Sequence, residues 1–308
     1  MIIHVLPNGW EVREEGWVKV HYDLCKLERE LGWNSVIAFP DKNNTPKWFT
    51  RNEGSVLSWG EARQLSKKDK VNLVIGWEDP EILDREFPDD YIKVCYIQEF
   101  VFFRNSLSYK NKHLWFINKY TKDFVKEEEG FVLEPFVRPE IFYPLKSQKF
   151  EKYPYKILVQ RRKGGKEASI KLKALLPIGE YSDRLELKVL EDTEEFDYAR
   201  ELGEADIFLS HSYPKGFNLS ALEAMASKTL VIGFDGGGGR EFMRHNENCF
   251  TTLDGNFREL SQLLKNVLDM SKKKLEVVLL EALKTSKKYS RKETKRKLSN
   301  ILKTYNLY

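Results

Sequence analysis

The chain has 308 residues, 41% apolar, 13% aromatic and 32% charged, and its 51 Lys and Arg nearly balance 47 Asp and Glu for a net charge of +4. That apolar share builds a core and excludes an intrinsically disordered chain, while the length suggests two domains. The charge is not that of a dedicated nucleic-acid binder, and no apolar run approaches the roughly 18 residues that span a bilayer.

Short β-branched runs alternate with amphipathic stretches, the pattern of α/β layers on parallel sheets. Met1 to Pro7 shows neither a basic stretch nor a small-residue cleavage site, so it reads as a first strand, Ile2 to Leu6, and not as an export signal. The turn signal Pro7-Asn8-Gly9 follows. Val18, Tyr22, Cys25, Leu27 and Leu31 then recur at helical spacing, and Gly32 closes that helix. Further strands are expected at Ser35 to Phe39, Asn72 to Ile75, Ile92 to Ile97, Leu114 to Asn118 and Phe131 to Leu133.

Ser147 to Tyr155 is polar, aromatic and Lys-rich, with Pro144 and Pro154 about it, and reads as a linker. A second alternation begins with a strand at Lys156 to Val159, a Gly/Lys loop and a helix over Ala168 to Leu176. Strands at Leu185 to Leu190, Ile207 to Ser210 and Leu230 to Phe234 are interleaved with helices at Glu194 to Leu202 and Leu219 to Ala226. The run Gly236 to Gly239 comes next, then some 40 helical, Lys-rich residues. From Ser271 to Tyr308 twelve Lys and Arg face three Glu, so a basic tail ends a mildly acidic body. The expected domains are 1–146, 155–285 and a basic C-terminal helix over 286–308.

Cys25, Cys95 and Cys249 are far apart and form no C-x-x-C pair; they read as reduced, buried thiols of a cytoplasmic protein. No His/Cys/Asp cluster has zinc spacing, so neither a metal nor another cofactor is expected. His4, His21, His113 and His245 read as structural or surface residues. His211 lies in the loop before Leu219.

The most specific stretch runs from Glu204-Ala205-Asp206 through the strand to Ser210, then Lys215-Gly216-Phe217-Asn218, Leu222-Glu223-Ala224-Met225-Ala226, Gly238-Gly239 and Glu241. A helix opening at Leu219 offers unpaired backbone N–H groups at the positive end of its dipole, where an anion docks. Arg161 or Arg162 with Lys166, beside Gly164-Gly165, supplies cations near a loop that backbone can approach.

This ordered set resembles the donor-binding half of the GT-B glycosyltransferases of family four. Glu15-Gly16 before the first helix, the Leu27 to Val36 segment, Val132 to Val137 with Phe142-Tyr143-Pro144, and Leu158 to Arg162 with Lys166 extend the resemblance over most of the chain. It implies a GT-B architecture, two Rossmann-like doubly wound domains facing a cleft. It also implies transfer of a sugar from a nucleoside diphosphate sugar to a hydroxyl on a glycan or lipid-linked acceptor, with retention and without a metal. Arg161, Arg162 and Lys166 would stabilise the leaving diphosphate. Gly16, His211 and Lys215 to Leu219 would line the donor site, and Glu223 would hold the ribose. The C-terminal helix would return to the first domain.

Three positions depart from the pattern. The family's paired glutamates would put a Glu at 215, where it contacts the donor sugar; Lys215 stands there and suits an acidic sugar or a phosphate, or marks lost transfer. Asn218 replaces a glycine. The family's His after the strand Ile92 to Ile97 is absent, and Gln98 and Glu99 are candidates for its place. Trp77-Glu78-Asp79 is a second acidic cluster at a strand end, and reads equally as a helix start. Phe100 to Phe103 reads as core or as an acceptor surface. The basic tail reads as a solvated face, then as a contact for an anionic membrane at its inner face, with nucleic acid third. Two other readings are a GT-B-like protein that binds a nucleotide sugar without transferring it, and a DNA-modifying glycosyltransferase.

Overall fold

The computed structural model describes residues 1–7, 16–42, 55–68, 73–76, 79–88, 91–103, 109–127, 129–160, 182–191 and 193–305. Contacts divide the chain into two units, Met1–Pro135 with Lys292–Tyr308 and Phe136–Arg291.

In the first unit the apolar runs become parallel strands: β1 Ile2–Val5, β2 Ser35–Phe39, β3 Ser55–Ser58, β4 Leu73–Gly76, β5 Ile92–Ile97, β6 His113–Phe116 and β7 Phe131–Val132. They form one sheet in the order β3-β2-β1-β4-β5-β6-β7. Every pair is parallel, with Ile2 opposite Ser35 on one side and Leu73 on the other. Strands buried on both faces need no polar alternation, which is why β4 is an uninterrupted apolar run and β1 is broken only by the buried His4. Ile3, Val5, Val36 and Ala38 pack one face; Leu6 and Ile37 face the helix Gly16–Glu30 through Val18, Tyr22 and Cys25 on the other. Gly32, at φ +90°, ends that helix as expected. β3 and the helix Trp59–Lys68 that follows it were not legible in the sequence, because four residues, Ser-Val-Leu-Ser, carry no period.

The second unit contains β8 Tyr155–Gln160, β9 Leu185–Leu190, β10 Ile207–Ser210, β11 Leu230–Phe234 and β12 Phe250–Thr252, in the parallel order β12-β11-β10-β8-β9. The direction of winding reverses between β8 and β10, the crevice where open α/β sheets bind ligands at the strands' carboxyl ends. Helices Glu195–Glu204, Leu219–Ala226, Phe257–Leu268 and Lys272–Lys288 belong to this unit.

Segment 147–155 is not a free linker. Phe150 is in the core beside Ile157 and Leu209. The Lys149 ammonium donates to the carbonyls of Gly203 and Ala205 at 2.6 and 2.5 Å, capping the helix Glu195–Glu204. Asp206 accepts from the backbone N–H of Phe150 and Lys156 at 3.1 and 3.0 Å. Arg138 pairs with Glu195, and Phe142 meets Tyr198 edge to face. Residues 136–150 therefore belong with the second unit, and the division falls at Pro135–Phe136.

The basic tail divides between the units. Leu275, Val278 and Leu279 fill the second unit's core. From Lys292 the chain joins the first unit: Thr294 Oγ1 donates to Glu134 O, Lys297 pairs with Glu134 at 2.7 Å, and Lys295 pairs with Glu30 at 3.1 Å. Trp115 Nε1 donates to Tyr305 Oη at 2.9 Å.

Candidate functional site

The second unit gathers its notable residues where β10 runs into the helix Leu219–Ala226. Ser210 ends the strand, and its hydroxyl donates to Phe234 O at 2.7 Å. The loop then turns back over β11. Lys215 N–H donates to Gly236 O at 2.7 Å and Gly238 N–H donates to Lys215 O at 2.8 Å, a backbone bridge between loop and glycine run. A Cβ on Gly238 would lie 1.9 Å from Gly216 O, and one on Gly233 would lie 1.9 Å from Ser210 O. The glycines are there so that two stretches of backbone can touch.

Asn218 is fully buried at the helix start. Its Nδ2 lies 2.9 Å from Ser210 Oγ, 3.3 Å from Phe234 O and 3.4 Å from Asp235 O. Its Oδ1 accepts from Lys215 Nζ at 3.1 Å. At φ −85° it needs no glycine-like backbone, so the side chain earns the position by clamping the loop. Asn218 O accepts from the N–H of Ala221 and Leu222, opening the helix. Ser220 Oγ donates to Gln160 Oε1 at 3.2 Å, which ties the helix's first turn to the end of β8 at the switch point.

Phe217 is buried against Phe242 and Tyr289, with ring centroids 5.5 and 5.7 Å away. Its role is packing. Glu223 is buried one turn into the helix. His211 is buried, and burial first, then the nearby Lys215 cation, pushes its imidazole down to about 4, so it is neutral at pH 7. Asp235 accepts from Gly237 N–H and Arg240 Nε, and Asp254 accepts from Gly236 N–H; burial, then Asp235, raises the Asp254 carboxyl. Arg161, Arg162 and Lys166 lie outside the described residues.

In the first unit Gly16 opens the helix Gly16–Glu30. Gln98 follows β5, is buried, and its Nε2 lies 3.5 Å from Trp17 O, which brings the end of β5 to the start of that helix although β4 separates β5 from β1. Glu99 starts the turn Phe100–Phe102. Asp79 caps the helix Pro80–Glu86 by accepting from Glu81 N–H; Trp77 and Glu78 lie outside the described residues. The aromatic run splits. Phe103 stacks on buried Tyr109, whereas Phe100 lies against Tyr120 and the exposed Phe124.

A polar chain beneath the helix Gly16–Glu30 was missed. His4 Nε2 lies 2.8 Å from Glu28 Oε2, His4 Nδ1 lies 2.9 Å from His21 Nδ1, and Ser35 Oγ donates to Glu28 at 2.6 Å, all buried. Its one sequence signal is that His21, Cys25 and Glu28 share a helix face.

Residues 170–292 match the model of the family Glycosyl transferases group 1. No protein of curated function matches the sequence. Among solved structures, a glycosyltransferase from Rickettsia africae is 17% identical with a TM-score of 0.75, covering 99% of this chain and 98% of that one. Sucrose-phosphate synthase from Thermosynechococcus elongatus is 11% identical with a TM-score of 0.79, covering 99% of each. Anabaena HepE in complex with UDP-glucose is 12% identical with a TM-score of 0.73, covering 98% of this chain and 99% of that one. The chain therefore shares the two-sheet α/β fold of these solved glycosyltransferases. The stretch that matches the group 1 model lies almost wholly in the second unit.

Proposed function

We propose that the protein transfers a sugar from a nucleoside diphosphate sugar to a hydroxyl of a glycan or lipid-linked acceptor, with retention of configuration and without a metal. The observation that carries this reading is the helix start at Asn218–Leu219, tied to β8 by Ser220 and Gln160 and bordered by Lys215. Backbone N–H groups there meet a diphosphate at the positive end of the helix dipole. Cations of the segment after Gln160 (Arg161 or Arg162, with Lys166) offset the charge that builds on the leaving diphosphate. Glu223 suits the ribose hydroxyls. HepE, solved with UDP-glucose, supports a nucleotide-sugar donor.

No helix among the described residues is long and apolar enough to cross a membrane. In the last helix, Lys295, Arg296 and Lys297 are engaged by Glu30, Glu293 and Glu134. These contacts favour a bracing role in the first unit over a lipid or nucleic-acid face.

The test is a thermal-shift screen with UDP-, GDP-, ADP- and dTDP-sugars. One class raises the melting temperature, the joint change Arg161→Ala and Lys166→Ala abolishes the rise, and EDTA leaves transfer unchanged. No shift with any of the four at millimolar concentration overturns the donor-site reading.

A further inference from the structure

Three aromatic rings meet beside the helix start. Phe217 lies 5.5 Å from Phe242 and 5.7 Å from Tyr289, and Phe242 lies 5.7 Å from Tyr289, centroid to centroid. Each ring comes from a different segment. Phe217 precedes Asn218 and the helix Leu219–Ala226, Phe242 follows the glycine run, and Tyr289 stands at the C-terminal end of the helix Lys272–Lys288. A polar tie joins the last two segments as well. Asn248 Nδ2 donates to Phe242 O at 2.7 Å and to Thr285 Oγ1 at 2.9 Å, about one turn before Tyr289.

The same tyrosine stands where the chain passes between the units, at Pro135–Phe136 and Arg291–Lys292. Val137 N–H donates to Tyr289 O at 3.1 Å, and the Arg291 guanidinium lies 5.8 Å from the centre of the Phe136 ring. Phe136, Val137, Tyr289 and Arg291 all belong to the second unit. The residues that flank the two passages are thus pinned to each other within that unit, and the side chain at the pin packs on Phe217.

Docking of the helix Lys272–Lys288 rests on other residues, since Leu275, Val278 and Leu279 hold it in the core. What depends on Tyr289 is Phe217, and with it the backbone of Gly216 to Leu219. From Gly216 to Asn218 the chain is neither strand nor helix. Its position is set by what its side chains grip, the Asn218 amide in Ser210 and the Phe217 ring in Phe242 and Tyr289. Backbone N–H groups bind an anion only when aimed at it, because a hydrogen bond weakens steeply off its axis.

We propose that Tyr289 is a positioning residue for the donor: its ring holds Phe217, and through it the backbone that takes the diphosphate, while its carbonyl carries the order of that loop to Val137 at the passage between the units. The inference rests on the donor-site reading above and adds to it a residue from outside the loop. A diphosphate that steadies Gly216 to Leu219 steadies Phe217, Tyr289 and the Val137 hydrogen bond in turn.

The experiment is hydrogen–deuterium exchange on the full chain, read in peptides covering residues 136–142, beside titration calorimetry. The probe is whichever of UDP, GDP, ADP and dTDP binds. In the parent that nucleotide should slow exchange at Val137 by at least about threefold. Tyr289→Ala should bind it about tenfold more weakly and, at saturation, show no slowing at Val137. Tyr289→Phe keeps the ring and should restore both. Val278→Ala loosens the same helix from the core; it should lower the melting temperature and keep both affinity and slowing. Should Tyr289→Ala not fold, Tyr289→Leu keeps the apolar volume without the ring and takes its place. Slowing that is absent from the parent, that survives in Tyr289→Ala, or that Val278→Ala removes equally overturns the inference and leaves the donor site standing. So does an unchanged affinity in Tyr289→Ala, or a Tyr289→Phe variant that behaves like it. Binding of none of the four diphosphates overturns the donor-site reading itself, and the inference with it.

Discussion

Lys215 Nζ lies 3.1 Å from Asn218 Oδ1. The two residues at which the loop before Leu219 departs from the pattern it resembles are thus partners of one another. A glycine at 218 offers no acceptor to residue 215, and a glutamate at 215 would face the amide oxygen of Asn218 with like partial charge. Each departure fits only with the other, so they form one structural change.

The cost of breaking it follows from burial. Asn218→Ala removes the donor to Ser210 Oγ, Phe234 O and Asp235 O in a fully buried site. Phe234 O keeps the Ser210 hydroxyl and Asp235 O keeps Gly239 N–H, so the cost is that of the lost hydrogen bonds, on the order of 0.5–1.5 kcal/mol each. We expect the second unit to lose about 2 kcal/mol in denaturant unfolding, whereas Lys215→Gln, at a partly exposed position, changes it by less than about 0.5 kcal/mol. Equal losses for the two variants would refute the clamp.

How much of this was legible depends on where each partner sits. β10 and β11 announced themselves because strands buried on both faces are unbroken apolar runs. The helix over Leu219 to Ala226 and the glycine run were equally plain. The clamp was not: Asn218 reaches Ser210, Phe234 and Asp235, which only the fold brings together. Segment 147–155 misled because a Lys-rich stretch looks solvated, yet Lys149 is drawn inside by the carbonyls at the end of a helix. His4 and His21 are structural, one of the two roles expected of them, but their partners were not legible, since an imidazole between apolar residues gives no sign of a partner on another element.

That imidazole chain makes the first unit sensitive to acid. Burial, then the neighbouring His4, holds the His21 imidazole well below its ordinary value of 6.5. In the unfolded chain it titrates near 6.5, so below that pH the unfolded state binds more protons. The contribution of His21 is whole above pH 6.5 and is lost as pH falls toward the depressed folded value. Geometry gives the same sign, because the Nδ1 atoms of His4 and His21 share one hydrogen and cannot both donate. All seven tryptophans lie within residues 1–135, so tryptophan emission follows the first unit alone. Its melting temperature should fall from pH 7.5 to pH 5, and His21→Phe should flatten that slope. An unchanged slope in the variant would count against the assignment.

Lys149 predicts the opposite range for the second unit. Burial pushes its ammonium down to about 7, with Lys146 and Lys228 adding to the fall and Asp206 opposing it. Between pH 7 and the unfolded value near 10.5 the unfolded chain binds the extra proton. Stability from this group therefore rises with pH across that window. Lys149→Met removes the rise, and also the donor to Gly203 O and Ala205 O. The second unit should be less stable in the variant by about 1–3 kcal/mol at pH 7, and the gap should widen toward pH 10 because the parent alone gains stability there. Calorimetric melting of both proteins across that range decides it. A parallel pair of profiles would show that the amine is charged in the folded state throughout.

The glycine run gives the sharpest contrast between two substitutions of one kind. A Cβ at Gly238 would sit 1.9 Å from Gly216 O and 2.3 Å from its carbonyl carbon, and backbone cannot swing aside as a side chain does. Gly238→Ala must push the 215–216 segment off the turn, and with it Lys215 and the start of the helix Leu219–Ala226. At Gly60, near the start of the helix Trp59–Lys68, a Cβ meets only Ser58 Oγ at 3.9 Å. Alanine there is the better helix former by roughly 0.8–1.0 kcal/mol. Gly238→Ala should therefore weaken nucleoside diphosphate binding at least about tenfold. Gly60→Ala should bind as the parent does and melt no lower. If Gly238→Ala bound its nucleotide normally, the loop bridged by Lys215 and Gly238 would have no part in holding the donor.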